Sequence, residues 1–162
     1  MEKKSALVAF VIIVTLICQQ TLLALANSGV WGPLQRGLMT RLIPLEQEHV
    51  LGQPIRFRLE MINETNSSKN YDSQQVKVNN SMLIKDHNDK VIPYSAEQYM
   101  TTGSPRRIQP GETVILFDNF DITSQYQIDK PGEYTIQFRG QGQAFGDVPI
   151  PPSNVISIEI VE

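Results

Sequence analysis

Apolar and polar residues alternate along several short segments of this chain. Between residues 55 and 61 every second side chain is apolar, and the side chains between them are charged. A two-residue period places the apolar side chains on one face of a β-strand and the charged ones on the other. The same period recurs in residues 133–139 and 155–161. We therefore predict three strands that each bury one face and expose the other.

Two Pro-Gly-Glu sequences, at residues 110–112 and 131–133, come directly before apolar segments. Proline presets φ for the second position of a turn, and glycine accepts the positive φ that a type II turn needs at the next position. Turns followed by short strands at close spacing are typical of sandwiches. The predicted fold is all-β, an immunoglobulin-like antiparallel β-sandwich of about seven to eight strands.

Shorter apolar segments complete the predicted set of strands, at residues 38–45, 75–78, 81–85, 90–94 and 113–117. Residues 63–74 are polar and rich in turn-forming side chains, so they predict a surface loop. Residues 95–109 show no period and predict a long connection, with one helical turn at 96–99. Residues 121–126 predict a short helical crossing between sheets, and Tyr134 resembles the tyrosine corner of immunoglobulin-like sandwiches.

The first residues combine positive charge with an apolar segment. Lys3 and Lys4 precede an apolar stretch at residues 6–18, and an Ala-Leu-Ala sequence ends at Ala26. A basic start, an apolar core and an Ala-x-Ala end are typical of a secretory signal. We predict a signal peptide at residues 1–26, a single domain at residues 27–162, and a secreted, periplasmic or extracellular location. The alternative is an uncleaved membrane anchor.

Charge and cysteine content narrow the classes of partner. The chain has a net charge of −3 and a single cysteine, Cys18, which lies inside the predicted signal. We therefore expect neither a disulfide nor a thiolate metal site in the domain. A mildly acidic chain with scattered basic residues lacks the electrostatic footprint of proteins that bind nucleic acid or anionic membranes. We expect no stable membrane insertion after signal cleavage, and the oligomeric state stays open.

Few residues are suited to catalysis. With Cys18 removed, only His49 and His87 offer imidazole bases, and both stand in polar sequence that predicts solvated side chains. The stretches 86–89 and 118–121 each offer three oxygen-bearing side chains, although Asp and Asn are also expected at turns. We predict no catalytic residue, no metal site and no cofactor, and therefore no enzyme. Calcium at one of the two acidic stretches is the alternative.

Two exposed segments are candidate surfaces for a partner. A pair of arginines follows a glycine-proline loop, and the segment 140–153 is long and rich in glycine and then proline. Long loops at the ends of a sandwich are common recognition sites. The alternatives are solvated charge at the arginines and a phenylalanine that packs on the sandwich. The candidate partner-binding residues are Arg106, Arg107, Gln141, Gln143 and Phe145.

Three asparagines stand in the pattern that accepts N-glycosylation, namely Asn63, Asn66 and Asn79. In a bacterial source they would be ordinary polar loop residues. The sequence leaves both interpretations open.

Several segments resemble the β-rich, non-catalytic N-terminal region that precedes deuterolysin-type and lysine-specific metalloendopeptidases. The resemblance rests on Ile108 to Val114, Asp121-Ile122, Tyr126 and Gly132 to Ile136. It implies an immunoglobulin-like module associated with a protease. The zinc motif of these enzymes, His-Glu-x-x-His, has no counterpart in this sequence, so no metal or catalytic role is carried over to any residue.

A second resemblance is to the bacterial intracellular proteinase inhibitor family. It rests on Asp86, Val91, Tyr94-Ser95 and the two Pro-Gly-Glu sequences, the second of which continues into Tyr134-Thr135. It implies a protease as partner. The location of that family conflicts with the predicted export.

Together these features predict a secreted, non-catalytic immunoglobulin-like module that binds another protein, with a protease as one such partner. One alternative is a domain that modulates a protease, as an inhibitor or as a folding assistant. A further alternative is a carbohydrate-binding domain that uses exposed acidic and aromatic side chains.

Overall fold

The structure, a computed structural model, describes residues 29–72, 81–97, 105–140 and 148–162. Within these residues the chain forms nine strands and no α-helix. The prediction of an all-β fold is confirmed, and the predicted number of strands is corrected from about seven to eight to nine, because three short strands add to the long ones. The predicted signal peptide and the predicted strand at 75–78 lie outside the described residues.

The strands are β1 (Leu38–Pro44), β2 (His49–Val50), β3 (Arg56–Asn63), β4 (Lys69–Asp72), β5 (Met82–Asp86), β6 (Pro105–Ile108), β7 (Thr113–Asp121), β8 (Gly132–Phe138) and β9 (Ile156–Val161). They form a three-stranded sheet in the order β1-β3-β7, a four-stranded sheet in the order β2-β9-β8-β5, and a two-stranded sheet of β4 and β6. All pairs are antiparallel except β2 with β9.

The two larger sheets share one hydrophobic core. Along β9 buried and exposed residues alternate without interruption, and along β8 every second residue from Tyr134 is buried. This is the two-residue period predicted for both segments, and each fully buried aliphatic or aromatic side chain contributes about 1.5–3 kcal/mol. The largest fully buried side chains of the core are those of Tyr126, Phe57, Phe138, Leu38, Leu42, Ile55, Leu59, Met61, Met82, Ile84, Ile108 and Ile122.

Side chains and loops cover the outer edges of two edge strands. At β1 the Asn154 side chain accepts a hydrogen bond from Leu42 N (2.7 Å) and donates one to Leu42 O (3.3 Å). At β5 the Tyr126 hydroxyl accepts from Met82 N (2.9 Å) and donates to Met82 O (3.2 Å). Because unpaired backbone groups on an edge invite another strand, these contacts block addition to β1 and β5.

The first Pro-Gly-Glu turn and the crossing follow their sequence predictions. Gly111 has a φ of +70°, as the predicted type II turn requires after Pro110, and Glu112 N closes the turn on Gln109 O. The second predicted turn does not form: Gly132, with a φ of +137°, is already the first residue of β8 and pairs with Ile160. A 3-10 helix, Ile122–Ser124, forms the predicted crossing. The Tyr134 hydroxyl donates to Lys130 O at 2.8 Å, a backbone carbonyl four residues upstream.

Four local predictions are wrong. β4 lies in the predicted surface loop and β6 in the predicted long connection, because both are too short and polar to show a period. The predicted strand at 90–94 is reduced to isolated bridges from Val91 and Tyr94. His49 is 5% exposed on β2, where pairing with β9 buries a side chain that its polar neighbours led us to predict as solvated.

Candidate functional site

The candidate site is the two-stranded sheet of β4 and β6, called the ribbon below. β3 leads into β4 through residues 64–68, and β6 leads into β7 through residues 109–112. Since β3 also pairs with β7, the ribbon continues the β3–β7 pair beyond the three-stranded sheet. β1 begins at Leu38, opposite Asn63, so it has no residue beside the ribbon.

Asn63 forms the joint between sheet and ribbon. Its side chain is fully buried, donates to Ser67 O at 2.8 Å, and accepts from Thr65 N (3.1 Å) and Thr65 Oγ1 (2.7 Å). Its backbone carbonyl accepts from Gly111 N at 2.8 Å, across the joint. The buried amide leaves no room for a glycan, so at Asn63 the glycosylation pattern is an ordinary sequence match.

The first Pro-Gly-Glu sequence closes the other side of the joint. The Glu112 carboxylate accepts a hydrogen bond from Gln109 N at 2.6 Å, and Glu112 N donates to Gln109 O at 3.1 Å. Charge-assisted bonds of this kind are among the stronger ones in proteins. The turn therefore fixes the end of β6 directly to the start of β7.

The two strands of the ribbon differ in exposure. On β4, Tyr71 and Asp72 are 4% and 5% exposed. On β6, Pro105, Arg106 and Arg107 are all exposed, and Ile108 alone is buried. The ribbon therefore packs through β4 and Ile108, and it presents the first three residues of β6 to solvent.

The arginines of β6 lack carboxylate partners in the described part of the chain. Arg107 Nε lies 3.5 Å from Asn70 Oδ1, which is the outer limit of a hydrogen bond. Arg106 lies opposite Tyr71, whose pKa is raised by burial and opposed by the Arg106 charge. Neither guanidinium forms an ion pair with a described residue.

Arginines on the three-stranded sheet have the opposite arrangement. Arg41 reaches Glu60 at 2.7 Å and stacks over the Trp31 ring at 4.5 Å. Arg58 donates to both oxygens of Asp118, at 2.9 and 3.1 Å, and this hydrogen bonding lowers the Asp118 pKa. The charges of the sheet are therefore satisfied within the molecule.

The structure describes only part of the predicted partner-binding set. Arg106 and Arg107 lie on an exposed strand instead of an end loop, because residues 105–108 pair with β4. Gln141, Gln143 and Phe145 fall outside the described residues. Sequence reasoning missed the strand character of the arginine segment, and the one hint in the sequence was the apolar Ile108 directly after the two arginines.

The two histidines differ in their surroundings. His87 is exposed in the turn after β5, as predicted. His49 is buried, its Nδ1 atom has no hydrogen-bond partner, and its pKa is lowered by burial, with Glu46 acting in the opposite direction. His87 Nε2 lies 2.8 Å from Asn88 Nδ2 within the same turn.

The oxygen atoms proposed for calcium are already engaged in local structure. Asp86 Oδ1 accepts from Asn88 N (2.8 Å) and Lys90 N (3.0 Å). Asp121 Oδ1 accepts from Thr123 N at 2.9 Å and caps the 3-10 helix. Across the described ranges, no three His, Cys, Asp or Glu side chains are grouped to hold a metal ion. In those ranges we also find no helix with the length and hydropathy needed to cross a membrane.

Comparison with known proteins adds a family. A family model described as intracellular proteinase inhibitor matches residues 44–145, which is more than half of the chain and includes both strands of the ribbon. No curated protein matches the chain. The predicted resemblance to this family is confirmed, whereas the resemblance to the N-terminal region of deuterolysin-type enzymes is not.

This description corrects the predicted location. A family of intracellular inhibitors contradicts a secreted, periplasmic or extracellular protein, so that prediction is wrong. It rested on the charge and hydropathy of residues 1–26 alone. A basic start followed by an apolar segment shows that the segment favours apolar surroundings. That preference alone is not sufficient evidence of export.

Proposed function

Because the chain belongs to the intracellular proteinase inhibitor family, we propose that it binds a protease and inhibits it. The observation that supports this function is the family match over residues 44–145, which spans the strands from β2 to β8. Inhibition by binding needs an accessible surface on a stable scaffold and no catalytic group of its own. The protein is then a non-catalytic binding partner, with another protein as its ligand.

The scaffold is suited to this role because hydrogen bonds hold the ribbon in place before a partner binds. Protease–inhibitor complexes bury about 1,600 Å² in total and change little in backbone on binding. A surface that is ordered before binding loses little entropy when the complex forms. The ribbon meets this condition, since Asn63 and the Gln109–Glu112 turn hold it to the three-stranded sheet.

A panel of purified serine, cysteine and metalloproteases tests the proposal. Each enzyme is incubated with the full chain, and its activity is followed with a small chromogenic substrate. We expect one class to lose activity in proportion to added chain until a fixed molar ratio is reached. Mass spectrometry of the chain after incubation should show it intact, which separates an inhibitor from a slowly cleaved substrate.

The folding-assistant alternative makes a different prediction in the same system. An assistant raises the yield of active protease during refolding from denaturant and leaves the activity of the native enzyme unchanged. If every protease of the panel keeps full activity at a large excess of the chain, the inhibitor function is wrong.

A further inference from the structure

We propose that β6 is the strand by which this chain holds its protease, and that the protease contributes an extended acidic segment lying along the outer edge of β6. This inference rests on the proposed function and adds the surface and the chemistry of the partner. It concerns Pro105 to Arg107, the exposed part of β6.

In the described part of the chain the edge of β6 is uncapped, as is that of β7, whereas β1 and β5 are capped by side chains; β6 differs from β7 in its two arginines without ion pairs. Among the described strands, β6 has a single neighbour, β4. At β1 and β5 the outward backbone groups are satisfied by Asn154 and by the Tyr126 hydroxyl. Proteins usually cover or blunt their strand edges, and an extended peptide can add to one that stays open.

Charge identifies the partner as acidic. The ribbon contains Lys69, Arg106 and Arg107 against one carboxylate, the buried Asp72, although the whole chain has a net charge of −3. Outside the ribbon, Glu112 is near enough to act on Tyr71, but the two strands themselves still carry an excess of positive charge. The sequences next to the ribbon, residues 73–80 and 98–104, contain no Asp or Glu. A local positive surface on an acidic protein attracts a carboxylate-bearing segment and repels basic ones.

Strand geometry indicates the direction of approach. Successive side chains of a strand point to opposite faces, so Arg106 and Arg107 lie on different sides of the ribbon. A partner that docks on one face reaches one guanidinium, whereas a segment that lies along the edge reaches both. Each guanidinium is a planar donor that can bind a carboxylate through two hydrogen bonds.

A decaglutamate peptide is the first probe, titrated calorimetrically into the full chain at low and at high salt. We expect binding at low salt, and weaker binding when the Debye length falls from about 30 Å to about 8 Å. Arg106→Ala and Arg107→Ala should each weaken binding about tenfold, the effect of one lost charge-assisted hydrogen bond, and the double variant should abolish it.

Lys90→Ala/Lys130→Ala is the matched control, because it removes two exposed positive charges that are not on the ribbon. Its binding should stay within about twofold of the unsubstituted chain, since exposed charges at a distance are screened. Circular dichroism and thermal unfolding of each variant establish that the fold is intact. Equal binding by the control and the double arginine variant would overturn the inference, and so would an effect confined to one arginine.

The same variants are then assayed against the protease found with the panel. If the unsubstituted chain inhibits and Arg106→Ala/Arg107→Ala inhibits equally well, the proposed function stands and the role of β6 is wrong. If the unsubstituted chain inhibits no protease, the proposed function fails. The peptide titration still decides whether the edge binds acidic chains, and absence of binding at low salt overturns that statement independently.

Discussion

The three-stranded sheet and the ribbon are built from the same two stretches of chain, yet their arginines differ in whether they form ion pairs. β3 continues into β4, and β6 continues into β7. On the sheet, Arg41 and Arg58 bind Glu60 and Asp118. On the ribbon, the two arginines of β6 have no ion pair with any described residue.

The difference separates a scaffold from a binding surface. A carboxylate within reach satisfies an arginine and leaves little for a partner to gain. An exposed arginine without such a carboxylate retains its hydrogen-bonding capacity for another molecule. Changes in the sheet should therefore alter stability, and changes on β6 should alter binding. The following predictions test this separation, starting from the largest expected effect.

Asn63→Ala should break the connection between the two regions. The substitution leaves the Thr65 amide and the Ser67 carbonyl without the Asn63 partner, and it opens a cavity at a fully buried position. We expect a loss of about 3 kcal/mol in the free energy of unfolding, measured with urea, and a parallel loss of inhibition. Asn66→Ala, three residues away and exposed, is the control. Equal stability of both variants would show that Asn63 is not the joint.

Tyr126→Phe should destabilise the covered edge of β5 and leave β6 unaffected. Without the hydroxyl, Met82 N loses its buried acceptor, while Met82 O keeps a hydrogen bond from Arg139 Nε (3.0 Å), so we expect a cost of about 2 kcal/mol in urea unfolding. Tyr94→Phe removes an exposed hydrogen bond, from the hydroxyl to Glu97 O at 3.3 Å, and should cost much less. Inhibition by both variants should equal that of the unsubstituted chain.

The Tyr126 hydroxyl also makes the stability of the fold depend on pH. Burial raises the Tyr126 pKa from 10.0 to about 12, partly offset by the hydrogen bond with Met82. A raised pKa means that the folded state favours the neutral phenol. The contribution of the neutral Tyr126 phenol to the free energy of unfolding is complete below pH 10 and is lost as the pH rises through about 12. The free energy of unfolding, measured across this pH range, should therefore fall less steeply for Tyr126→Phe than for the unsubstituted chain. A slope identical to that of the unsubstituted chain would contradict the assignment.

Glu60→Ala should weaken the sheet by about 1 kcal/mol, because a half-buried arginine loses a charge-assisted hydrogen bond. Arg41 keeps its contact with Trp31, which limits the loss. Glu60→Gln retains a hydrogen-bond acceptor, so its stability should lie between that of Glu60→Ala and that of the unsubstituted chain. Thermal unfolding at low and high salt is the measurement, and unchanged inhibition is the expected result. A loss of inhibition without a loss of stability would show that the sheet takes part in binding.

Arg106→Ala/Arg107→Ala should have the smallest effect on stability. Both side chains are exposed and form no ion pair with a described residue, so the free energy of unfolding should change by less than about 0.5 kcal/mol. Urea unfolding measures this value. A larger change would mean that the arginines support the ribbon, and the contrast between sheet and ribbon would fail.

The long strands were predictable from sequence because their residues alternate. The segment 55–61 predicted β3, and 155–161 predicted β9. Pro110-Gly111 located a turn, because the positive φ at Gly111 completes it, whereas Pro131-Gly132 marked only the start of β8. Local sequence sufficed wherever one face of a strand is buried and the other is solvated.

The candidate site was less predictable because its order is imposed by tertiary contacts. Residues 69–72 and 105–108 are polar and only four residues long, so pairing with each other makes them strands. His49 is buried by its pairing with β9, more than a hundred residues away in sequence. The two arginines were selected from composition, but their position on a strand edge depends on Asn63 and on partners that are distant in sequence.

The end of β1 opposite Asn63 has a consequence for engineering. Because β1 begins at Leu38 and does not extend beside the ribbon, we expect randomisation of residues 105–107 to leave the register of β1 with β3 unchanged. A library restricted to these positions would sample new specificities on an unchanged framework. Such a library could be screened for binding to proteases of different surface charge by varying three positions alone.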